Sequence, residues 1–249
     1  MGPFMAQKQY SVRLYVASDL GQDLGVVLDK AQSHYVATVM RREVGDNVAL
    51  FNGRDGEWIG VLQEVHKNHC LIHVTDQQRK QTPEPDIYML FAPVKKVQTN
   101  MIVQKATELG AAEIIPVQTA RTHGDRIRTD KLNLQALEAA EQCQRLNVPP
   151  VREIQKLDVA LAALEPDRIL IFCNENLTGD HSLEVLQSLK GGKKWAVLTG
   201  PEGGFTDEEC ALVEARANTH TISLGPRLLR AETAVIASLT LLQAVCGDW

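Results

Sequence analysis

The sequence predicts a mixed α/β protein in which a small β-barrel-like domain precedes a larger α/β domain with a parallel sheet. Three observations lead to this prediction: short strands in the first 80 residues, a polar segment with two prolines after them, and apolar strands alternating with helices in the rest. A chain of 249 residues is long enough for two domains with separate cores. We therefore expect domains at residues 1–80 and 81–249.

Short strands rich in β-branched and apolar residues fill most of the predicted first domain. Turn pairs such as Asn52-Gly53 and Asp55-Gly56 separate them. One helical stretch, residues 30–42, interrupts the series, and residues 76–86 (DQQRKQTPEPD) indicate a linker because they lack apolar periodicity. The predicted strands are residues 11–16, 47–52, 58–66 and 70–75.

Apolar segments alternate with helical segments from residue 87 onward. Strands that are apolar throughout are buried on both faces, as a parallel sheet between two helical layers requires. The predicted strands are IYMLFAPV from residue 87, EIIPVQT from 113, RILIFC from 168, WAVLTG from 195 and TISLG from 221. The predicted helices lie near residues 106–109, 130–145 and 182–189, and begin near residues 206 and 232.

Composition and charge exclude several classes of protein. No apolar run approaches the roughly 20 residues that a membrane span needs, and the opening Met-Gly-Pro-Phe-Met lacks the pattern of an export signal. Five scattered cysteines without a Cys-x-x-Cys pair are typical of free thiols in a reducing cytoplasm. The net charge is −5, but residues 86–156 carry ten basic and eight acidic side chains, so a local basic face for nucleic acid stays open.

The first candidate site is a glycine-rich loop, LTGPEGG, at residues 198–204. It follows an apolar strand and precedes a helix that opens with a capping box made by Thr206 and Glu209. Open α/β folds bind ligands at such carboxyl ends of strands, and glycines let a ligand approach the backbone. The loop matches neither Gly-x-Gly-x-x-Gly nor Gly-x-x-x-x-Gly-Lys, which removes the main support for a dinucleotide or a nucleoside triphosphate. A tight turn without a ligand is the alternative for this loop alone.

A second glycine loop follows the next strand. Residues 222–233, ISLGPRLLRAET, contain a glycine-proline turn, two arginines and a glutamate. Two such loops on neighbouring strands would share one crevice. The last helix, residues 233–245, is apolar on nearly every face, which predicts burial within the fold or in a subunit interface. Burial around Arg230 and Glu232 would make their charges costly unless they are used or paired.

The two loops together resemble one known family. LTGPEGGFTDEE with SLGPRLLRAETA is similar to the bacterial 16S ribosomal RNA uridine-N3 methyltransferases, a branch of the trefoil-knotted, S-adenosylmethionine-dependent SPOUT superfamily. Further matching segments extend the resemblance over nearly the whole chain. These are VQKATELGA at residues 103–111, AAEQCQRLNVP at 139–149, RLY at 13–15, and VMR and VGD within residues 39–46.

The resemblance implies an N-terminal PUA-like RNA-binding barrel, a C-terminal methyltransferase domain whose last strands and helix form a trefoil knot, and a homodimer. It also implies that S-adenosylmethionine binds in a bent shape at the knot. By this analogy, residues 173–175 form one wall of the cofactor site. The other cofactor contacts are Leu198, Thr199, Gly200, Pro201, Glu202, Gly203, Leu224, Gly225, Leu229 and Arg230.

The substrate that the resemblance implies is 16S ribosomal RNA, within the small ribosomal subunit. Many family members carry a basic residue and an aspartate just before the first helix of the second domain, where this chain has Gln98-Thr99-Asn100. For each candidate phosphate contact, a solvated surface charge is the alternative. The candidates are Arg13, Arg41, Arg42, Lys95, Lys96, Arg121 and Arg145.

Arg230 and Glu232 are the candidate catalytic residues. Methylation of uridine N3 requires loss of the ring N–H proton and an in-line arrangement of nitrogen, methyl carbon and sulfur. Arg230 would stabilise negative charge on the uracil carbonyls, and Glu232 would accept the proton or orient Arg230. The target base would be turned out of its stack to reach the methyl donor. A structural salt bridge between the two side chains is the alternative.

A cluster of possible metal ligands occurs in the first domain. His66, His69, Cys70 and His73 lie close in sequence, but neighbours in a strand point to opposite faces and no second ligand cluster follows. We therefore expect no metal.

Two other functions stay open at this point. A related knotted enzyme that acts on a ribose 2′-hydroxyl or a transfer RNA base would have similar glycine loops, although the Glu-Gln-Cys segment and the N-terminal barrel favour the uridine enzyme. A ribosome-assembly protein that binds RNA without catalysis is the second, and the presence of Arg230 and Glu232 weighs against it.

Overall fold

The computed structural model describes residue 10 and residues 12–122, 127–174 and 180–249. The chain forms two compact units, Met1–Pro83 with Ala140–Asn147 and Glu84–Ala139 with Val148–Trp249. The predicted boundary follows residue 80, whereas the first unit extends to Pro83 and also includes residues 140–147, which the sequence assigned to the second domain.

Five strands form a sheet in the described part of the first unit: β1 (Val12–Tyr15), β2 (Gly25–Val27), β3 (Asn47–Phe51), β4 (Glu57–His66) and β5 (His69–Arg79). The strand order is β1-β3-β4-β5-β2, with β1 parallel to β3 and the other neighbours antiparallel. Alternate residues of each strand point inward, so that Val48, Leu50 and Ile72 are fully buried in one core. The N-terminal sheet predicted from the strand pattern is confirmed.

The helix predicted at residues 30–42 consists of two shorter segments. α1 (Lys30–His34) begins with a capping box, in which the Asp29 side chain accepts a hydrogen bond from the Gln32 backbone N–H at 2.8 Å. A π-helical turn, Tyr35–Val39, follows it. Arg41 has a φ of 51°, in the left-handed region, and this conformation ends the helical segment before residue 42.

Arg13 holds residues 140–147 in the first unit. Its Nε donates to the Glu57 carboxylate at 2.5 Å. Its Nη1 donates to the carbonyl of Ala140 at 2.8 Å, and its Nη2 donates to the carbonyl of Arg145 at 2.6 Å. These carbonyls lie near the end of a helix, where backbone acceptors have no intrahelical partner. The guanidinium therefore satisfies backbone groups that would otherwise be orphaned.

Arg79 completes this ionic cluster from β5. It donates to Glu57 Oε2 and to the carbonyl of Gln144, both at 2.8 Å. Burial alone would raise the pKa of Glu57, but the hydrogen bonds from Arg79 and Arg13 outweigh burial and lower it. The carboxylate is thus charged between two guanidinium groups.

Seven parallel strands form the sheet in the described part of the second unit: β6 (Asp86–Phe91), β7 (Glu113–Gln118), β8 (Gln155–Lys156), β9 (Ile169–Cys173), β10 (Asp180–His181), β11 (Lys194–Thr199) and β12 (Thr219–Ser223). Their order is β10-β12-β9-β11-β6-β7-β8. Every neighbouring pair is parallel. The predicted α/β domain with a parallel sheet is confirmed.

Helices connect these strands: α2 (Lys96–Glu108), α3 (Thr129–Cys143), α4 (Leu157–Ala163), α5 (Ser182–Ser188), α6 (Asp207–Glu214) and α7 (Ala231–Cys246). Side chains of β6 alternate between two cores. Met89 packs with Val235 of α7 on one face, whereas Leu90 packs with Leu198 and Val213 on the other. No helix in the described ranges combines the length and apolar character that a membrane span requires.

A buried arginine ties the amino ends of the three central strands together. The Arg168 side chain is fully buried and donates to Asp86 at 2.9 Å, to Glu165 at 2.8 Å and to the carbonyl of Trp195 at 2.8 Å. Its guanidinium carbon lies 3.5 Å from the centre of the Tyr88 ring. These contacts stabilise the sheet at the edge opposite to the one where the glycine loops begin.

Candidate active site

Three side-by-side residues mark the carboxyl edge of the sheet. Thr199 of β11 is paired with Cys173 of β9, and Cys173 is paired with Ile222 of β12. β9 therefore lies between β11 and β12, and the expectation that the two glycine loops follow neighbouring strands is wrong. The loops still approach each other because the carboxyl ends of parallel strands meet at the same edge.

Both loops line one crevice with a cavity volume of about 210 Å³. A site for a single water needs about 10–15 Å³ by the same kind of measure, so this space is sized for an organic ligand rather than for one or two waters. Of the predicted cofactor contacts, those that line the crevice are Thr199, Gly200, Pro201, Glu202, Leu224, Gly225, Leu229 and Arg230.

Two predicted contacts do not line the crevice. Leu198 is fully buried in the core beneath the sheet, because its side chain points to the opposite face from that of Thr199. Gly203 lies instead against the side chain of Arg121, at 3.4 Å from the position that a Cβ atom would take. Lining residues that were not among the predicted cofactor contacts are Gly204, Phe205, Arg227, Leu228, Ala231 and Ala234.

Gly200 is required by close packing. A Cβ atom at this position would lie 2.7 Å from the Phe205 ring, which packs edge-to-face on Phe172 at 5.0 Å between ring centres. The loop then ends at the capping box predicted for α6, where Thr206 and Glu209 exchange hydrogen bonds of 3.0 and 3.2 Å. The packed ring and the cap fix the backbone of the loop at its two ends.

The Thr199 hydroxyl is a buried polar group without a partner in the described residues. Thr199 is 1% exposed and lines the crevice. Its backbone carbonyl is used by the N–H of Ala92 at 3.1 Å, but its Oγ1 has no hydrogen bond. An unsatisfied buried hydroxyl costs about 1–3 kcal/mol. Thr199 therefore brings to the wall of the crevice a hydroxyl that the described residues leave unsatisfied.

The end of β9 forms the third wall of the crevice, as expected for Cys173 and Asn174. Burial raises the pKa of the Cys173 thiol to about 12, so this cysteine is protonated at neutral pH and is unsuited to nucleophilic catalysis. The Asn174 amide nitrogen lies 3.7 Å from the Cys210 sulfur. Glu175, the last residue expected here, lies outside the described residues.

The second loop places two charged groups at the mouth of the crevice. Gly225 has a φ of 109° and open space at its Cβ position, so conformation rather than crowding calls for glycine. Arg227 and Arg230 line the crevice and are exposed. The expected burial around Arg230 is therefore wrong, because the side chain of this N-cap residue of α7 is exposed to solvent.

Glu232 lies in the first turn of α7, is partly exposed and does not line the crevice. No salt bridge joins it to Arg230 within the described part of the chain. The alternative of a structural ion pair between these two residues therefore finds no support. A carboxylate in this first turn is favoured by the helix dipole.

Two of the predicted phosphate contacts are buried in the first unit. Arg13 is 8% exposed and is held by Glu57, and Arg145 is 9% exposed. Burial removes both groups from a surface that a nucleic-acid backbone contacts, so their assignment as phosphate contacts is wrong. In the same unit Arg41 is exposed, and Arg42 lies 3.8 Å from Asp46.

The remaining candidates lie in the second unit. Lys95 and Lys96 are exposed at the start of α2. Arg121 is exposed as well, but its Nη1 donates to the carbonyl of Gly203 at 2.8 Å and to that of Phe205 at 3.3 Å. Its main contacts are therefore with the first glycine loop.

The cysteine and histidines of β4 and β5 do not converge. Cys70 is buried in the core of the first unit, whereas His69 lies 3.3 Å from Glu64 and His73 lies 3.5 Å from Asp23. Across the described ranges, no group of three or more metal-type side chains is suited to hold an ion.

Residues 80–243 match the model of the RNA methyltransferase domain, and residues 28–75 match that of the RNA methyltransferase PUA domain. The chain belongs to this family of RNA methyltransferases. One relative, ribosomal RNA small subunit methyltransferase E of Rickettsia conorii, is 31% identical over 91% of this chain and 93% of its own length.

Solved structures agree with this assignment. A putative methyltransferase of Legionella pneumophila, solved in complex with its cofactor SAM, has a TM-score of 0.84 and 28% identity over 96% of this chain and 99% of its own. A ribosomal RNA small subunit methyltransferase E of Neisseria gonorrhoeae has the same fold, with a TM-score of 0.84 and 24% identity over 96% of this chain and 100% of its own.

Proposed function

We propose that this chain transfers the methyl group of S-adenosylmethionine to N3 of one uridine in 16S ribosomal RNA of the small subunit. The observation that carries the proposal is the convergence of Thr199, Gly200, Leu224, Gly225 and Arg230 on one crevice. These residues come from the two loops whose sequence resembles the uridine-N3 enzymes. The names of the Rickettsia and Legionella relatives support the RNA substrate and the cofactor.

The residues of the crevice fit the methyl donor. The hydroxyl of Thr199, which has no partner among the described residues, would bond one of its polar atoms, and Gly225, with open space at its Cβ position, would let it approach the backbone. The apolar side chains of Leu224 and Leu229 would cover its adenine ring. When bound, S-adenosylmethionine supplies an electrophilic methyl group on a positively charged sulfur.

Arg230 is the residue proposed to act on the uracil. Its guanidinium is exposed at the crevice and has no hydrogen bond or ion pair to the described residues, so its donors are available to a substrate. Donors aimed at developing negative charge lower the barrier for such a step. Arg230 would stabilise the uracil carbonyl oxygens as the N3 proton leaves.

Glu232 is proposed to accept that proton. Two roles were predicted for Glu232: accepting the proton and orienting Arg230. The second role requires a contact between the two side chains, and there is none among the contacts of the described residues. Accepting the proton requires the partly exposed carboxylate to turn toward the crevice from the first turn of α7.

RNA contacts and assembly complete the proposal. Arg41, Arg42, Lys95 and Lys96 are proposed as phosphate contacts because their side chains reach the surface. Arg121 is exposed too, but it is left out because its guanidinium is engaged by the carbonyls of Gly203 and Phe205. A homodimer is proposed because α2 packs against α7 and leaves Val97 75% and Met101 39% exposed.

We propose that the chain acts in the cytoplasm, where small subunits are made.

Mass spectrometry of small-subunit RNA from a strain that lacks the gene tests the reaction. We expect the loss of a single N3-methyluridine and its return when the gene is restored. Complementation with Arg128→Ala, which removes an exposed arginine paired with Asp130 away from the crevice, serves as a control. An unchanged modification profile in the deletion strain would refute the proposal, and loss of a 2′-O-methyl group instead would establish the ribose enzyme.

Binding of S-adenosylmethionine, measured by calorimetry, distinguishes a methyltransferase from a protein that binds RNA without catalysis. The proposal requires the purified chain to bind S-adenosylmethionine in the absence of RNA. A chain that binds small subunits but not S-adenosylmethionine would be a ribosome-assembly protein.

A further inference from the structure

The first glycine loop is held from outside by the segment that follows β7. Arg121 donates from Nη1 to the carbonyls of Gly203 and Phe205 at 2.8 and 3.3 Å. Gly203 also lies on the stem of this side chain, since a Cβ atom there would be 3.4 to 4.0 Å from three side-chain carbons of Arg121. One arginine therefore contacts the loop through both its charge and its aliphatic part.

A second contact from the same segment reaches the helix that ends the loop. The backbone N–H of Ala120 donates to Glu209 Oε1 at 2.7 Å, while Glu209 Oε2 accepts from the N–H of Thr206 at 3.0 Å. The carboxylate of the capping box thus links α6 to the segment after β7. A capping box alone needs only the bond to Thr206, so the bond to Ala120 is an addition to the local motif.

The segment after β7 has its own internal support. The Thr119 N–H donates to Thr122 Oγ1 at 2.9 Å, and the two hydroxyls lie 2.8 Å apart. These bonds fold residues 119–122 into a compact turn. Arg121 and the Ala120 N–H are therefore presented to the glycine loop from a fixed base.

We infer that Arg121 is a positioning residue for the methyl-donor site: it holds the glycine loop in the conformation that binds S-adenosylmethionine. The inference rests on the proposed function. The carbonyl groups that Arg121 engages belong to the loop that lines the crevice through Gly200, Pro201 and Glu202. A loop already held in its binding conformation loses less conformational freedom when the ligand binds. Arg121 acts through the loop and does not itself line the crevice.

Arg121→Met tests the inference, because methionine keeps an aliphatic stem against Gly203 and removes the donors. We expect the Kd for S-adenosylmethionine, measured by calorimetry without RNA, to rise about tenfold, because a loop that lacks one or two of its supporting hydrogen bonds adopts the binding conformation less often. We also expect the melting temperature of the ligand-free protein to stay unchanged and the rise on adding S-adenosylmethionine to shrink. Arg128→Ala is the matched control, with an unchanged Kd.

Two further measurements separate positioning from RNA contact. The slope of log affinity for purified small subunits against log salt is expected to be the same for Arg121→Met and the wild type, whereas loss of a phosphate contact lowers this slope by about one. Arg121→Lys keeps the charge but not the planar guanidinium, and we expect it to restore the Kd only in part.

The inference is overturned if Arg121→Met binds S-adenosylmethionine with the wild-type Kd, or if its ligand-free melting temperature falls in proportion to the loss of binding. Failure of the wild type to bind S-adenosylmethionine would instead overturn the proposed function. If the wild type binds S-adenosylmethionine and Arg121→Met binds it with the same Kd, only the role of Arg121 is overturned.

Discussion

The guanidinium of Arg13 and the carboxylate of Glu57 form a buried ion pair in the first unit, with 2.5 Å between Nε and Oε2. Both side chains are about 5% exposed or less. Glu57 also accepts a hydrogen bond from Arg79 at 2.8 Å, so removal of Arg13 would leave this carboxylate with one guanidinium partner in place of two. The pair therefore identifies Arg13 as a structural residue.

Arg13→Ala is expected to lower the free energy of unfolding by about 1.5–3 kcal/mol, since Glu57 keeps Arg79 but loses the Arg13 donor, as do the carbonyls of Ala140 and Arg145. Urea denaturation followed by circular dichroism measures the change. Arg54→Ala, which removes an arginine whose pair with Asp19 is exposed, is the control, with an effect within about 1 kcal/mol. If Arg13→Ala has the stability of the wild type but binds RNA more weakly, Arg13 would again be a candidate for contact with an RNA phosphate.

The pair of Glu165 and Arg168 predicts a dependence of stability on pH. The hydrogen bond from Arg168 lowers the pKa of Glu165 from 4.5 to about 2. Because the folded-state pKa is depressed, the stabilisation is fully present above pH 4.5 and is lost as the pH falls toward 2. We expect Glu165→Gln to be less stable than wild type at pH 7 and the difference to vanish near pH 2.

Urea midpoints from pH 7 to pH 2 provide this comparison. Glu153→Gln removes an exposed carboxylate without a hydrogen bond among the described residues and is expected to follow the wild type at every pH. A difference between Glu165→Gln and wild type that does not change with pH would contradict the assignment.

Thr199→Val is expected to weaken the binding of S-adenosylmethionine without lowering the stability of the ligand-free protein. Valine keeps the shape of threonine and removes the unpartnered hydroxyl, so the melting temperature of the ligand-free protein should stay the same or rise. Loss of the bond to the ligand should raise the Kd for S-adenosylmethionine about tenfold. Thr199→Ser, which retains the hydroxyl, is the matched control. An unchanged Kd for the valine variant would mean that Oγ1 does not contact the ligand.

Arg230→Ala is expected to lower kcat for methylation of small subunits by about 100-fold or more, because one donor to a developing negative charge contributes about this much. Methyl transfer from labelled S-adenosylmethionine at saturating RNA measures it. Arg227→Ala removes a second exposed arginine of the same loop and tests whether positive charge alone is sufficient. Unchanged methylation by Arg230→Ala would remove this residue from the mechanism.

Several features of the fold follow from local sequence patterns. The apolar strands of the second unit predicted a parallel sheet covered on both faces, and Met89 and Leu90 do pack into opposite cores. Thr206 and Glu209 form the predicted capping box because its bonds lie within one turn of α6. The trefoil knot was implied by resemblance alone, since no periodicity encodes how a chain is threaded.

Other features depend on contacts that are distant in sequence. Arg13 and Arg145 were candidates for phosphate contact, yet both are buried. The partners of the Arg13 guanidinium, Glu57 and the carbonyls of Ala140 and Arg145, all lie more than 40 residues away in sequence. The order of β12, β9 and β11 also came only from the fold, because adjacency in a sheet is not adjacency in the chain.

The glycine loops also combine features that the local sequence determines with features that only the fold determines. By itself the sequence determined that residues 198–204 and 222–233 leave strands and carry glycines, because backbone conformation and strand periodicity are local properties. Only the tertiary structure decided that Thr199 lines the crevice with a hydroxyl that has no partner among the described residues, and that Arg121 donates to the carbonyl of Gly203. A side chain's type sets which bonds it is able to make, whereas the packing of the whole chain decides which partner lies within 3 Å.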